Sequence, residues 1–355
     1  MKKDSATGAL IAEQIKRYPM MQISDIFKYI FQSSFGCEHL VSDEHSVISR
    51  IRSEYEAARP CMHGVDKLDG AYSRVHLGCI GEGLSESTLG RLFLLSAVHE
   101  DGAMEALVSK LAVICDMARE GELPFEPDGL DSEISRWAAS GYGALHHSVA
   151  FKRAYRPAYR VISDRFADFL PIFIKTDKLM SERESVIIAI EGGSASGKTT
   201  LSATLREVYD CNIVHMDDFF LRPEQRTKER FSEIGGNVDR ERVRDEVLEP
   251  YSKGDTVRYR PFDCSTMTLD PPITLQKKKL TVVEGAYSMH PELERYYDLS
   301  VFLDISPELQ RSRITVRNTP AMAERFFSEW IPLERDYFEK TGARERCDLV
   351  FPIDR

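Results

Sequence analysis

Gly192-Gly193-Ser194-Ala195-Ser196-Gly197-Lys198-Thr199-Thr200 follows the apolar run Val186-Ile187-Ile188-Ala189-Ile190 and precedes a helical pattern from Leu201 to Tyr209. Strand, glycine-rich loop and helix in that order, with the spacing G-x-x-x-x-G-K-T, fit a phosphate-binding loop in full. The glycines let consecutive backbone N–H groups curl around a phosphate, and the following helix adds its positive N-terminal end. Gly193, Ser194, Ala195, Ser196, Gly197, Lys198, Thr199 and Thr200 are therefore the expected cradle. Lys198 is expected to reach the β- and γ-phosphates, and the hydroxyl of Thr199 to ligand Mg²⁺. The expected ligand is a nucleoside triphosphate.

A chain of 355 residues is long for one core, so two domains are expected. With 42% hydrophobic and 29% charged residues, no segment reads as disordered by composition. The formal net charge of -10 argues against a general nucleic-acid binder. Seven cysteines are scattered without a C-x-x-C pair, which suits reduced thiols better than a disulfide framework or a zinc site. The N-terminus has two lysines but no apolar region behind them, so it does not read as a signal peptide. No apolar run is long enough to cross a bilayer, and a cytoplasmic protein is expected.

From residue 9 to about 170 the apolar spacing is mostly helical. Ile23, Ile26, Phe27, Ile30 and Phe31 mark one face, and Met104, Leu107, Leu111, Ile114 and Met117 mark another. Gly121 and Pro124 are expected to stop the latter helix. A further helix is expected from Pro157 through Ile162, Phe166 and Phe169. Residues 1–180 thus read as a mainly α-helical domain, closed by the charged segment 175–184, and residues 181–355 as a second domain. His39, His76, His146 and His147 lack metal-ligand spacing and read better as core or surface residues. Lys152, Arg153, Arg156 and Arg160, interleaved with Tyr155 and Tyr159, could meet phosphate or a base; a solvated amphipathic helix end is the commoner outcome. Nothing in this half identifies what it does.

In the second half, strand-length apolar runs at 186–190, 213–216, 280–284, 300–304 and 348–351 alternate with helical stretches, the signature of a parallel sheet. Ligands of open α/β sheets gather at the carboxyl ends of the strands. Asp217 and Asp218 follow the second strand and Glu284 closes the third, so these acidic residues are expected to face the loop.

The strings GGSASGKTT, HMDDFFLRP, VVEGAY and FLDISPELQRSRITVRN resemble the uridine kinase and phosphoribulokinase family of P-loop kinases, as does FFSEWIPLERDYFEK followed by CDLVFP. The resemblance covers roughly residues 185–355. It implies a five-stranded parallel sheet flanked by helices and transfer of phosphate from ATP, with Mg²⁺, to a hydroxyl of a small molecule. By the same resemblance Asp217 accepts the proton of the acceptor hydroxyl, Asp218 being the weaker alternative. Glu284 matches the acidic residue that holds Mg²⁺. Arg311, Arg313 and Arg317 lie on a helix that in this family forms a lid over the phosphates; Arg313 and Arg317, four apart, share a face and are preferred for catalysis, with Arg311 at the ATP.

On the acceptor side, Asp239 resembles an aspartate that grips sugar hydroxyls, and it serves equally well as a helix N-cap. Residues 257–267 resemble the hairpin that covers the acceptor, with Arg260, Phe262 and Asp263 in the contact region. Uridine kinases usually carry tyrosine at the position of Phe262, and a histidine where this chain has Ser265-Thr266-Met267, so the resemblance departs where the pyrimidine is read. A nucleoside-like acceptor is expected. Pantothenate, a sugar phosphate or another hydroxylated metabolite remains an alternative, as does a nucleotide-gated regulatory module that phosphorylates no metabolite. Self-assembly into a homo-oligomer is a further open reading.

Overall fold

The computed structural model describes residues 6–37, 43–58, 62–97 and 103–354. The chain divides into two compact units, Met1–Ile174 and Lys175–Arg355. The segment read from sequence as a polar connector is instead helical, within Leu170–Glu182, because Asp177 and Thr176 are buried and Asp177 accepts from the Tyr209 hydroxyl at 2.9 Å.

The first unit is mainly helical. Two of its helices, α1 (Ile23–Phe35) and α2 (Ala103–Arg119), bury most of the faces read from their apolar spacing, although Met104 at the start of α2 is exposed. Gly121 stands past the end of α2 at φ +74°, a left-handed position that favours glycine. One expectation fails. The stretch after Pro157 forms a strand, not a helix: β1 (Val65–Lys67), β2 (Tyr72–His76) and β3 (Tyr159–Ser163) make an antiparallel sheet in the order β1-β2-β3. The β-branched pair Val161-Ile162 suits an extended backbone packed on both sides, and it pairs with Ser73 and Arg74 of β2.

Strand β2 is buried throughout although it carries Arg74 and His76. Arg74, 2% exposed, donates to Gln32 Oε1 from Nε (3.0 Å) and Nη2 (2.8 Å), and its guanidinium lies 4.8 Å from the Tyr159 ring centre. His76 meets Asp66 at 2.9 Å, and His147 sits between Asp25 (2.8 Å) and the Tyr159 hydroxyl (2.6 Å). Burial pushes the His147 imidazole down to about 4. These two histidines are core residues with carboxylate partners. His39 lies outside the described residues.

The second unit is built on five parallel strands, β4 (Val186–Gly192), β5 (Cys211–His215), β6 (Leu280–Glu284), β7 (Leu299–Ile305) and β8 (Leu349–Ile353), in the order β8-β7-β4-β6-β5. Every residue of β4 is buried, as a central parallel strand covered on both faces requires. The helix α3 (Lys198–Val208) returns over the sheet with Leu201, Leu205 and Val208 inward. The chain passes from β4 to one side for β5 and β6 and to the other for β7 and β8. The carboxyl end of β4 is thus a topological switch point, where such sheets hold ligands. Ile187, Val214, Phe219, Val243, Val283 and Tyr337 belong to the core packed on one face. The expected fold class, a five-stranded parallel sheet flanked by helices and preceded by a mainly helical domain, is the one observed.

Candidate active site

The loop after β4 turns back on itself at residues whose backbones need special conformations. Gly192 has φ +148°, and a Cβ there would stand 2.6 Å from the Leu303 carbonyl oxygen, so the close approach of loop to β7 requires glycine. Gly197 opens α3 at φ +103°. Ala195 holds φ +62° without being glycine, a strained position supported from outside the loop. Its methyl packs against the cluster of Ile314, Ala323 and Ile331.

Two helices provide that support. The first, α4 (Pro307–Arg317), is capped by Ser306, and it turns Gln310 and Arg313 to the loop. Gln310 Nε2 donates to the Ser194 carbonyl at 3.0 Å, and Arg313 Nη1 to the Ala195 carbonyl at 2.9 Å. The second, α5 (Ile331–Thr341), brings Glu334, whose carboxylate accepts from the Ser194 amide (2.9 Å) and hydroxyl (2.6 Å). Lys198 Nζ lies over the loop and donates to the carbonyls of Gly192 (2.9 Å) and Gly193 (3.0 Å). The Ser196 hydroxyl is buried without a hydrogen-bond partner among the described residues, a donor available to a phosphate oxygen.

Thr199, Glu284 and His215 converge beside the loop. Register pairs Glu284 of β6 with His215 of β5. The Glu284 carboxylate, in a residue 5% exposed, accepts from the Thr199 hydroxyl at 3.0 Å and meets His215 Nδ1 at 2.6 Å. The bond to Glu284 is the main reason the His215 imidazole is held above its ordinary value. A threonine hydroxyl and a carboxylate at hydrogen-bond distance, both oxygen donors at the mouth of a phosphate loop, fit Mg²⁺.

Asp217 follows on the turn after β5. It is an exposed residue, yet crowding by protein and then the Glu284 charge raise its carboxyl, while Lys198 and His215 pull the other way. Asp218 is occupied differently: its Oδ2 accepts from the Tyr259 hydroxyl at 3.1 Å.

The remaining sequence candidates divide. Arg317 is exposed, one turn beyond Arg313. Arg311 turns to the Phe327 ring, 4.1 Å from its centre, rather than to the loop carbonyls. Asp239, 1% exposed, caps the short helix Arg240–Arg242 and accepts from Gln225 Nε2 at 2.8 Å. The hairpin expected to cover the acceptor forms as two short antiparallel pairs, Arg258–Tyr259 with Ile273–Thr274 and Phe262–Asp263 with Thr268–Leu269. Within it Phe262 is buried beneath Arg226. Arg260 donates to the carbonyls of Leu269 and Asp270, and Asp263 accepts from the Ser265 amide at 2.7 Å. Both polar groups thus hold the hairpin's own turn.

Sequence reading missed Glu334, Gln310 and Glu191. Glu191 is wholly buried beneath the loop, where its carboxylate accepts from the amides of Gly192 (2.8 Å) and Met289 (3.0 Å) and from the Tyr337 hydroxyl (3.1 Å). Burial pushes it up to about 7. A carboxylate between the apolar strand and the first loop glycine was the one signal available for it.

A phosphate loop at the switch point of a parallel sheet defines the second unit as a P-loop nucleotide-binding unit of the kinase type. Its family follows from comparison. Residues 187–325 match the model of the Phosphoribulokinase / Uridine kinase family, which places this unit, rather than the whole chain, in that family. Among curated proteins, the chain is 23% identical over 186 residues to the uridine kinase of Macrococcus caseolyticus, covering 48% of this chain and 88% of that one. It is 26% identical over 130 residues to the phosphoribulokinase of a Synechocystis species, covering 35% of this chain and 39% of that one. Among solved structures, a possible uridine kinase from Bacillus stearothermophilus matches with 22% identity and TM-score 0.37, over 51% of this chain and 99% of that one. No helix of the described residues is long and apolar enough to cross a membrane.

Proposed function

We propose that the chain is an ATP-dependent kinase that transfers the γ-phosphoryl group to a hydroxyl of a small, nucleoside-like acceptor. The observation that carries this reading is the different employment of two neighbouring carboxylates: burial raises both, but Asp218 is taken up by the Tyr259 hydroxyl, while Asp217 stands beside Glu284 and Lys198. A base placed there accepts the acceptor's proton as its oxygen attacks phosphorus and the bond to the β-phosphate oxygen breaks. Lys198, Arg313 and Arg317 offset the charge on the transferring group and the departing ADP. Thr199 and Glu284 would hold Mg²⁺, which when bound supplies further charge neutralisation at the phosphates. Asp239, Arg260, Phe262 and Asp263 shape the acceptor side, the polar three by fixing the backbone around it and Phe262 by filling its floor.

The test is ATP consumption by the full chain across nucleosides, sugars, sugar phosphates and pantothenate, with phosphorylated product identified by mass. One hydroxylated acceptor raising turnover sharply supports the proposal. No product across the panel, with a partner bound differently in ATP and in ADP, overturns it in favour of a nucleotide-gated module.

A further inference from the structure

The outer flank of α4 carries a second cationic recess that the proposed chemistry does not use. It has a volume of about 260 Å³ and is walled by Arg311 of α4, Arg335 of α5 and Phe327 between them. Phe327 lies in the π-helical turn Phe326–Trp330, where the widened backbone pushes side chains out of helical register. Arg311 lies over the Phe327 ring, 4.1 Å from guanidinium carbon to ring centre. A guanidinium stacked in this way keeps its in-plane N–H fork for an oxyanion. Neither Arg311 nor Arg335 has a carboxylate within ion-pair distance among the described residues, whereas Arg230, Arg242, Arg325 and Arg344 are each ion-paired.

The geometry points to a binding site for a small hydroxylated organic oxyanion, a phosphate or carboxylate head held by Arg311 and Arg335. Two forks from facing helices match such a head bidentately. Ile331 supplies apolar wall, and the Glu308 carboxylate, in the same wall, accepts a hydroxyl of the ligand. The recess has room for a metabolite of small-acid or sugar-phosphate size.

The site reports to the phosphate loop. Gln310 lines the recess and donates to the Ser194 carbonyl, and Ile331 lines it while packing in the cluster that supports Ala195. A ligand drawing α4 and α5 together therefore changes how the loop is held, and the effect on ATP affinity and on the ligand's own affinity is reciprocal.

Calorimetric titration of the full chain tests this with two probes, glycerol 3-phosphate for the phosphate head and malate for the carboxylate head. The expected result is saturable binding of one probe in the presence of a saturating non-hydrolysable ATP analogue. Arg335→Ala should weaken it about 10-fold or more, as loss of a charge-assisted pair implies, with an unchanged melting temperature. The probe should also shift the analogue's dissociation constant by about 3-fold or more. Displacement of the probe by the analogue, equal affinity in Arg335→Ala, or no saturable binding of either probe up to about 10 mM overturns the proposal. These readouts need no turnover, so they stand or fall separately from the kinase assignment.

Discussion

The Glu334 carboxylate grips Ser194 twice, at the backbone amide (2.9 Å) and at the hydroxyl (2.6 Å), across 140 residues of sequence. Burial raises this carboxyl despite the pull of Lys198, so the grip is made where charge is costly. Glu334→Ala leaves two loop donors without their acceptor. It should lower the unfolding free energy by about 1–3 kcal/mol, read by urea denaturation. A change under about 0.5 kcal/mol, the scale of a neutral surface substitution, would show that the tether holds nothing.

Asp217→Asn keeps the size of the side chain and removes its basicity. Turnover should fall by roughly 10²-fold or more, with affinity for an ATP analogue retained. Asp218→Asn should act more weakly and chiefly through the Tyr259 bond, raising KM for the acceptor more than it lowers kcat. Near-normal turnover in Asp217→Asn removes that residue from the role.

Glu284→Gln keeps a neutral acceptor for the Thr199 hydroxyl and removes a negative charge from an oxygen pair suited to Mg²⁺. The Mg²⁺ concentration giving half-maximal turnover should rise about 10-fold or more, while metal-free binding of an ATP analogue stays within about 2-fold. Chelation of divalent cations should abolish turnover in the unsubstituted protein. Activity that survives EDTA would refute the metal assignment.

Glu191 gives stability a pH signature. Its folded-state value is raised, from an ordinary 4.5 to about 7. The folded state therefore holds this proton more tightly than the unfolded chain. The resulting stabilisation is complete below about pH 4.5 and is lost as pH rises through about 7. Relative to Glu191→Gln, which does not titrate, the unsubstituted protein should lose roughly 3 kcal/mol between those limits. Denaturation curves of both proteins at pH 5 and pH 8 measure this, and a flat difference would mean that burial does not govern the group.

The sheet of the second unit was legible because β4 and β6 are continuous apolar runs that end in chemistry, at the loop glycines and at Glu284. The first unit hid its sheet for the opposite reason. Strand β2 reads as polar at Arg74 and His76, and both are buried only because Gln32 and Asp66 come to them from elsewhere. A pattern of apolar spacing carries no record of such partners. The same holds at the site. Lys198, Thr199 and Asp217 sit in local strings with fixed offsets, whereas Glu334 and Gln310 act on the loop from helices more than 100 residues away. Asp239 and Asp263 show the reverse case, where a carboxylate of the right type in the right region is engaged with its own backbone neighbourhood.

Lys198 rests its ammonium on two carbonyls of the loop that carries it. Binding a triphosphate through this side chain is then an exchange of acceptors, in which the lysine releases Gly192 and Gly193 as it takes phosphate oxygens. The affinity it contributes is the difference between two sets of bonds. Lys198→Met would therefore loosen the resting loop as well as weaken the nucleotide, so a change in loop mobility before any ligand is added is an intrinsic part of that variant's phenotype.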